Sequence, residues 1–296
     1  MKRLLLIISS ALVIVPIACG RSQLDPDPFA AFTRAWRENP VWHDGQAELA
    51  VYEATREIYG QSRRYTARLY TNKELADKQT KTKSATGRGR EVFKHHMRED
   101  IATQNYTIHY STMCYVGTTD LKSLKIDMGS QEDCGATFKQ FVNHAGTCQW
   151  YQFSYFPNEG RRSGQYLPTK NFVFQDALSL VLRGYPFDAP TDLSLMVVPD
   201  QTSSLASRPR PQAGTVKYVG FETLKLPVGQ VDTHHVTFNY NLSVALQGGE
   251  GKPPIHHYWF AAEQSAPWLP VMVRYEGPEG TSYKLRGLRR WAYWKP

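Results

Sequence analysis

Between Gly45 and Trp294, short runs rich in Val, Leu, Thr and Tyr alternate with turn residues, and a helical pattern breaks that rhythm only once. A chain of this kind pairs each strand with its sequence neighbour, because turns of a few residues are too short for crossover connections. Segments 47–59 and 64–71, split by Gly60-Gln61-Ser62, read as an antiparallel hairpin with one wet face. The basic stretch 75–90, with its Gly, Thr and Ser, reads as an exposed loop. Strands continue at 106–116, 121–128, 136–142 and 148–156, with Gly117-Thr118-Thr119-Asp120 and Asn143-His144-Ala145-Gly146 among the turns. After a Pro/Ser-rich loop at 199–211 they resume at 215–226, 230–242, 256–261, 269–276 and 281–294.

The interruption is 171–183, where Phe174, Ala177, Leu178, Val181 and Leu182 share one helical face and Gly184 is placed to end the helix. A shorter helix is expected near 28–38. Asp27 can cap it, Pro28 suits its first position, and Phe29, Phe32, Ala35 and Trp36 recur at helical spacing. The expected fold is mainly β, a curved antiparallel meander packed around one helix. No internal repeat or long linker divides it. Residues 41–296 are expected to form one domain behind a tether and short helix at 19–40.

The first residues point to export. Lys2 and Arg3 precede an uncharged apolar run at 4–18, which is shorter than the ~20 residues a membrane-spanning helix needs. Residues 1–18 therefore read as a signal peptide. Ala18-Cys19-Gly20 resembles the lipobox of bacterial lipoproteins. That resemblance implies a diacylated Cys19 as mature N-terminus and a lipid-anchored, periplasm-facing envelope protein. Pro16 and Ile17 depart from the lipobox pattern, which prefers Leu and a small residue there. Cleavage after Gly20 is the rival reading, and it gives a soluble periplasmic or secreted chain. The formal charge is +8, of which Lys2 and Arg3 account for two. The remaining excess is spread along the chain and suits a soluble β surface. Nucleic acid is not an expected partner, since no nucleic-acid motif accompanies the charge.

Three segments are similar to a family of uncharacterised exported bacterial proteins: Gly45-Gln46-Ala47-Glu48-Leu49 through Tyr52 to Tyr59-Gly60, Ser130-Gln131-Glu132-Asp133-Cys134-Gly135, and Trp291-Ala292-Tyr293-Trp294-Lys295. More loosely, Gly220-Phe221-Glu222 through Pro227-Val228-Gly229, with Tyr258-Trp259-Phe260 and Leu269-Pro270-Val271, resembles the half-open barrels of periplasmic lipoprotein carriers. This implies a half-open barrel around the helix; it names no ligand.

Three cysteines remain after Cys19. Register through the turns puts Cys114 and Cys148 on one row, three spacings or roughly 14 Å apart, which a bridge spans only if the sheet folds over. The family resemblance sets Cys134 in a motif of its own and so leaves Cys114–Cys148 as the preferred disulfide. Cys134 with His109 or His144 supplies the residue types of Cys/His chemistry, but nothing nearby suggests an oxyanion hole. The pairs His95-His96, His234-His235 and His256-His257 offer at most one inward ligand per strand. A two-histidine site with Glu222 or Asp232 falls short of the three or four ligands zinc takes. No metal or cofactor is expected. Gln131 and Glu132 can bind a polar head group or satisfy their own bend, and Glu48 and Tyr52 can support it.

The expected role is non-enzymatic, binding or carrying an amphiphile. The cavity is expected between the helix face bearing Leu178 and Val181 and the late strands carrying Trp259 and Trp268, with Gln131 and Glu132 near its rim. An envelope assembly scaffold, or a hydrolase with an unrecognised site, are the alternatives. A carrier should show an apolar cavity, and an enzyme a cleft of titrating groups.

Overall fold

The computed structural model describes residues 27–202, 209–241, 254–263 and 267–295. The expected signal peptide, 1–18, and Cys19 lie outside them. The described chain is mainly β. Its first half contributes β1 (Ala47–Ile58), β2 (Gln61–Ala76), β3 (Arg90–Ala102), β4 (Thr107–Gly117), β5 (Ser123–Glu132), β6 (Gly135–His144), β7 (Thr147–Ser154) and β8 (Gly160–Tyr166). The second half contributes β9 (Phe172–Phe174), β10 (Leu193–Val198), β11 (Gln212–Leu226), β12 (Gly229–Tyr240), β13 (Ile255–Ala261), β14 (Met272–Glu276) and β15 (Ser282–Trp291).

All belong to one sheet, ordered β8-β7-β6-β5-β4-β3-β2-β1-β15-β14-β13-β12-β11-β10-β9. Each half is a meander, and the antiparallel pair β1–β15 joins them. The exception to antiparallel pairing is β9 on β10, which is parallel. Tight turns set the register where the sequence supplies left-handed residues. Tyr59-Gly60 (φ 52° and 70°) closes β1–β2, and Ala145-Gly146 (φ 49° and 84°) closes β6–β7.

The sheet rolls until its two edges meet. Tyr166 of β8 packs on Phe172 of β9 with ring centroids 5.6 Å apart, and Phe141 of β6 meets Phe174 of β9 at 5.2 Å. Side chains rather than ladder hydrogen bonds close this seam, so the molecule is a half-open barrel.

The barrel interior holds the central insert. The helix expected at 171–183 is shorter and less regular than its periodicity implied. Phe172–Phe174 is strand, and one α-helical turn, α2 (Leu178–Val181), lies between the 3-10 turns Gln175–Ala177 and Leu182–Gly184. Leu178, Leu180, Val181 and Leu182 are all fully buried. Burial on nearly every side replaces the amphipathic stripe of a surface helix. The N-terminal helix also breaks up, into a 3-10 turn Pro28–Ala31, α1 (Ala35–Glu38) and a 3-10 turn Pro40–His43. Its start follows the sequence signal, since Asp27 accepts a hydrogen bond from the Phe29 amide and Pro28 opens the turn. No helix among the described residues is long and apolar enough to cross a membrane.

These two segments close one end of the barrel. Trp36 stacks on Phe93 at 5.1 Å, and Trp42 meets the same ring edge-on at 5.2 Å. Arg183 reaches into this cluster, donates to both Glu48 carboxylate oxygens at 2.8 Å, and donates to the Leu269 carbonyl at 2.6 Å. Its guanidinium lies 5.0 Å from the Trp36 ring and 5.3 Å from that of Trp42. Glu48 and Tyr52 thus serve the plug rather than a surface bend. Glu48 holds Arg183, and the Tyr52 hydroxyl donates to the Met272 carbonyl at 2.8 Å.

Cys114 and Cys148 are both buried free thiols, so the expected disulfide is not formed. The ladder explains why. Cys114 pairs with Ile126, Ile126 with Phe141 and Phe141 with Trp150, which leaves Cys148 three strands away and two residues off that row.

Candidate functional site

Opposite the plug, the barrel opens into a cavity of about 580 Å³. Its wall comes from the far ends of β1, β3 and β4, from β11 to β15, and from the insert. Alternation along each strand turns every second residue inward. This brings Met97 and Glu99 of β3, Tyr110 and Thr112 of β4, and Tyr275 of β14 to the lumen. The insert presents its polar side, Gln175, Asp176 and Ser179.

Arg56 is the cation in this wall. Its Nη2 lies 3.5 Å from Glu99 Oε2, and the guanidinium sits 5.4 Å from the Tyr110 ring. Glu99 Oε1 also accepts from the Tyr65 hydroxyl at 2.5 Å and the Tyr283 hydroxyl at 2.8 Å. Burial works against the Arg56 charge, but Glu99 with Tyr283, Tyr65 and Asp200 together outweigh it and hold the group protonated well above its ordinary range. This charge pair is therefore balanced internally.

Asp176 is not balanced in the same way. Its Oδ2 is inaccessible to water and has no hydrogen-bond partner. Burial, then the nearby Asp200 carboxylate, push its carboxyl well above the usual range. Beside it, Gln175 Oε1 accepts from the Tyr240 hydroxyl and from the Asp200 amide, and Gln175 Nε2 lies 3.3 Å from His256 Nδ1. The same His256 nitrogen is 2.8 Å from the Tyr275 hydroxyl. Burial lowers His256 to about 4, so it is neutral and accepts.

A second chain of polar groups runs below the floor. Ser179 Oγ is 2.9 Å from His95 Nε2, and His95 Nδ1 is 2.8 Å from Thr71 Oγ1. The order serine, histidine, hydroxyl has the outline of a nucleophile, base and orienting group. Its electrostatics oppose that use. Burial and the Arg183 charge lower His95 to about 3, and Thr71 supplies no negative charge to stabilise an imidazolium. The chain ties the insert to the barrel wall.

The residues marked from sequence fall around this cavity rather than in it. Leu178 and Val181 sit on the packed side of the insert, wholly buried among apolar neighbours. Trp259 faces away from its cavity-lining neighbour Tyr258. Its indole N–H donates to Glu222 at 2.7 Å, and its ring lies between His235 at 4.2 Å and Arg274 at 4.6 Å. Trp268 is partly buried against the core and does not line the cavity. Gln131 and Glu132 line a separate depression of about 240 Å³ with Tyr106 and His109. There Glu132 accepts from the Tyr59 hydroxyl at 2.8 Å, and Cys134 is exposed 3.7 Å from the same carboxylate oxygen.

Among the paired histidines, His235 Nε2 meets His257 Nδ1 at 3.0 Å, and His235 Nδ1 lies 3.5 Å from Glu222. His235 thus uses its two nitrogens in opposite directions. No group of three or more His, Cys, Asp or Glu suited to a metal ion occurs among the described residues. Arg56, Glu99, Asp176 and the lumen tyrosines were not marked from sequence. Asp176 carried a usable signal, because it is the one charged residue in the helical pattern from Phe174 to Leu182.

No protein-family model matches the chain, and no curated protein matches it. Among solved structures it is similar to the crystal structure of a β-barrel-like protein of the domain of unknown function DUF1849 from Brucella abortus. The TM-score is 0.50 at 11% identity, over 82% of this chain and 97% of that one. The likeness is one of fold.

Proposed function

We propose that the protein is a non-enzymatic binding protein of the bacterial cell envelope that holds an amphiphile in the open end of its barrel. The observation that carries this reading is the cavity itself. At about 580 Å³ it has the size of a small-molecule site, and it sets tyrosine rings and methionines against polar groups on the insert. An apolar tail has rings to cover it, and a head group has polar partners. The hydrolase reading has less support, because the Ser179–His95 contact lacks a histidine able to take a proton near neutral pH.

Isothermal titration of anchor-free protein with octyl glucoside, octyltrimethylammonium and octyl sulfate, each below its micelle concentration, tests the reading. At least one is expected to bind saturably at one per chain. Met97→Trp, which narrows the lumen, should weaken that binding at least tenfold while the fold survives. Absence of saturable binding by all three would remove the carrier reading and favour an interaction scaffold.

The envelope location rests on the apolar run at 4–18 and on Ala18-Cys19. Cys19→Ser is expected to move the protein from the membrane fraction to the soluble periplasm. Intact mass of the wild type should show a diacylglyceryl addition; an unmodified chain starting at Arg21 would overturn the anchor.

A further inference from the structure

We infer that the cavity selects a cationic head group, an amine or quaternary ammonium on an apolar tail, with Asp176 as its counter-charge. The inference rests on the binding reading above and adds to it the sign of the ligand.

The first argument is the charge left over after internal pairing. Arg56 is matched by Glu99, and Glu99 is held in turn by Tyr65 and Tyr283. The other charged groups of the wall are Asp176 on the insert with Glu57, Asp200 and Glu279, which are exposed. No ion pair to these four carboxyls is found among the described residues. An anionic head group entering this space would meet like charge at the mouth, and at the wall wherever Asp176 ionises.

The second argument is independent of charge counting. Asp176 Oδ2 is shut off from water and accepts no hydrogen bond, an arrangement that costs free energy until a donor arrives. A primary amine supplies that donor, and any cation supplies the charge. The surrounding surface suits both. Tyr258 and Tyr275 lie with ring centroids 4.9 Å apart, and Tyr240 lines the same space. Tyrosine faces attract cations, most strongly where water is excluded.

The groups facing Asp176 from its neighbours leave room for this role. Asp200 disfavours its ionisation, and Lys139 of β6 favours it. The Lys139 ammonium donates to the Gln201 carbonyl at 3.1 Å. His256 of β13 stays neutral above about pH 4, and Tyr240 is hydrogen-bonded to Gln175. A bound cation favours the ionised carboxyl, so binding releases a proton and tightens as pH rises.

The same three octyl probes decide the question. Octyltrimethylammonium is expected to bind at least tenfold tighter than octyl glucoside, and octyl sulfate more weakly than either. Asp176→Asn should cut octyltrimethylammonium affinity at least tenfold and leave octyl glucoside unchanged. Glu57→Gln combined with Glu279→Gln, at the exposed mouth, should give a smaller loss in the same direction and serves if Asp176→Asn fails to fold. Equal binding of the cationic and neutral probes, unmoved by either variant, would overturn the selectivity and leave the binding reading standing. No binding by any probe would remove the binding reading itself.

Discussion

Replacing Glu48 by Gln is expected to destabilise the fold by about 3–5 kcal/mol, the cost of leaving a buried charge without its partner. The change is nearly isosteric, so almost no packing is lost. What is lost is the anion that Arg183 meets with two hydrogen bonds at 2.8 Å. Both side chains are almost wholly buried, 1% and 4% exposed, so water cannot replace the carboxylate. The Trp36 and Trp42 faces beside the guanidinium attract a cation, but they do not accept its hydrogen bonds in the plane. At roughly 2–4 °C per kcal/mol for a domain of this size, the melting midpoint should fall by about 10 °C. Glu48→Leu combined with Arg183→Met should cost less than Glu48→Gln alone, because it removes both charges together. A midpoint within ~3 °C of wild type for Glu48→Gln would mean that the plug admits water and that the pair does not hold this end shut.

The same pair shows why the fold was more legible than the site. Strand alternation and turn residues announced β1, much of β2, β4 to β7 and most of β11 to β15, and hence a meander that curls. β3 was missed because its inward row carries His95 and Glu99 between Phe93 and Ile101, which breaks the apolar alternation a strand search relies on. β8 was missed for the opposite reason. Its first six residues, Gly160 to Gln165, are exposed, and the ladder to β7 rather than burial keeps the segment extended. Apolar residues reveal the insert, and the same residues point away from the cavity. Leu178 and Val181 mark the packed side; the lumen receives Gln175, Asp176 and Ser179. Trp259 misled in the same manner, one residue out of phase with Tyr258. Apolar residues in a barrel report where it is filled. The part left open is lined by polar groups whose partners lie far away in sequence, such as Arg56 with Glu99 or Gln175 with Tyr240. Pairings of that kind follow from register, which a single sequence does not carry through fifteen strands.

Stability is expected to fall steeply as pH drops from about 6 to 4.5, before most carboxylates titrate. His95 is lowered to about 3 and His96 and His256 to about 4, in each case chiefly by burial. The unfolded chain protonates all three near pH ~6.5, whereas the native state refuses those protons until well below it. Their contribution is therefore present above pH ~6.5 and is lost as pH falls through that value. Asp176 acts in the opposite sense. Burial and Asp200 raise its carboxyl in the native state, so it offsets part of the histidine contribution. A net difference of about two protons gives a slope of roughly 2.7 kcal/mol per pH unit, or about 4 kcal/mol across the window. Urea unfolding at closely spaced pH values measures this directly. His95→Asn, which keeps polar atoms for Thr71 and Ser179, should flatten the slope by about one proton, ~1.4 kcal/mol per pH unit. Asp176→Asn should steepen it by up to the same amount and raise stability at pH 7, because the term that opposed the histidines is gone. Stability unchanged between pH 6 and 4.5 would show that water reaches these imidazoles in the folded state.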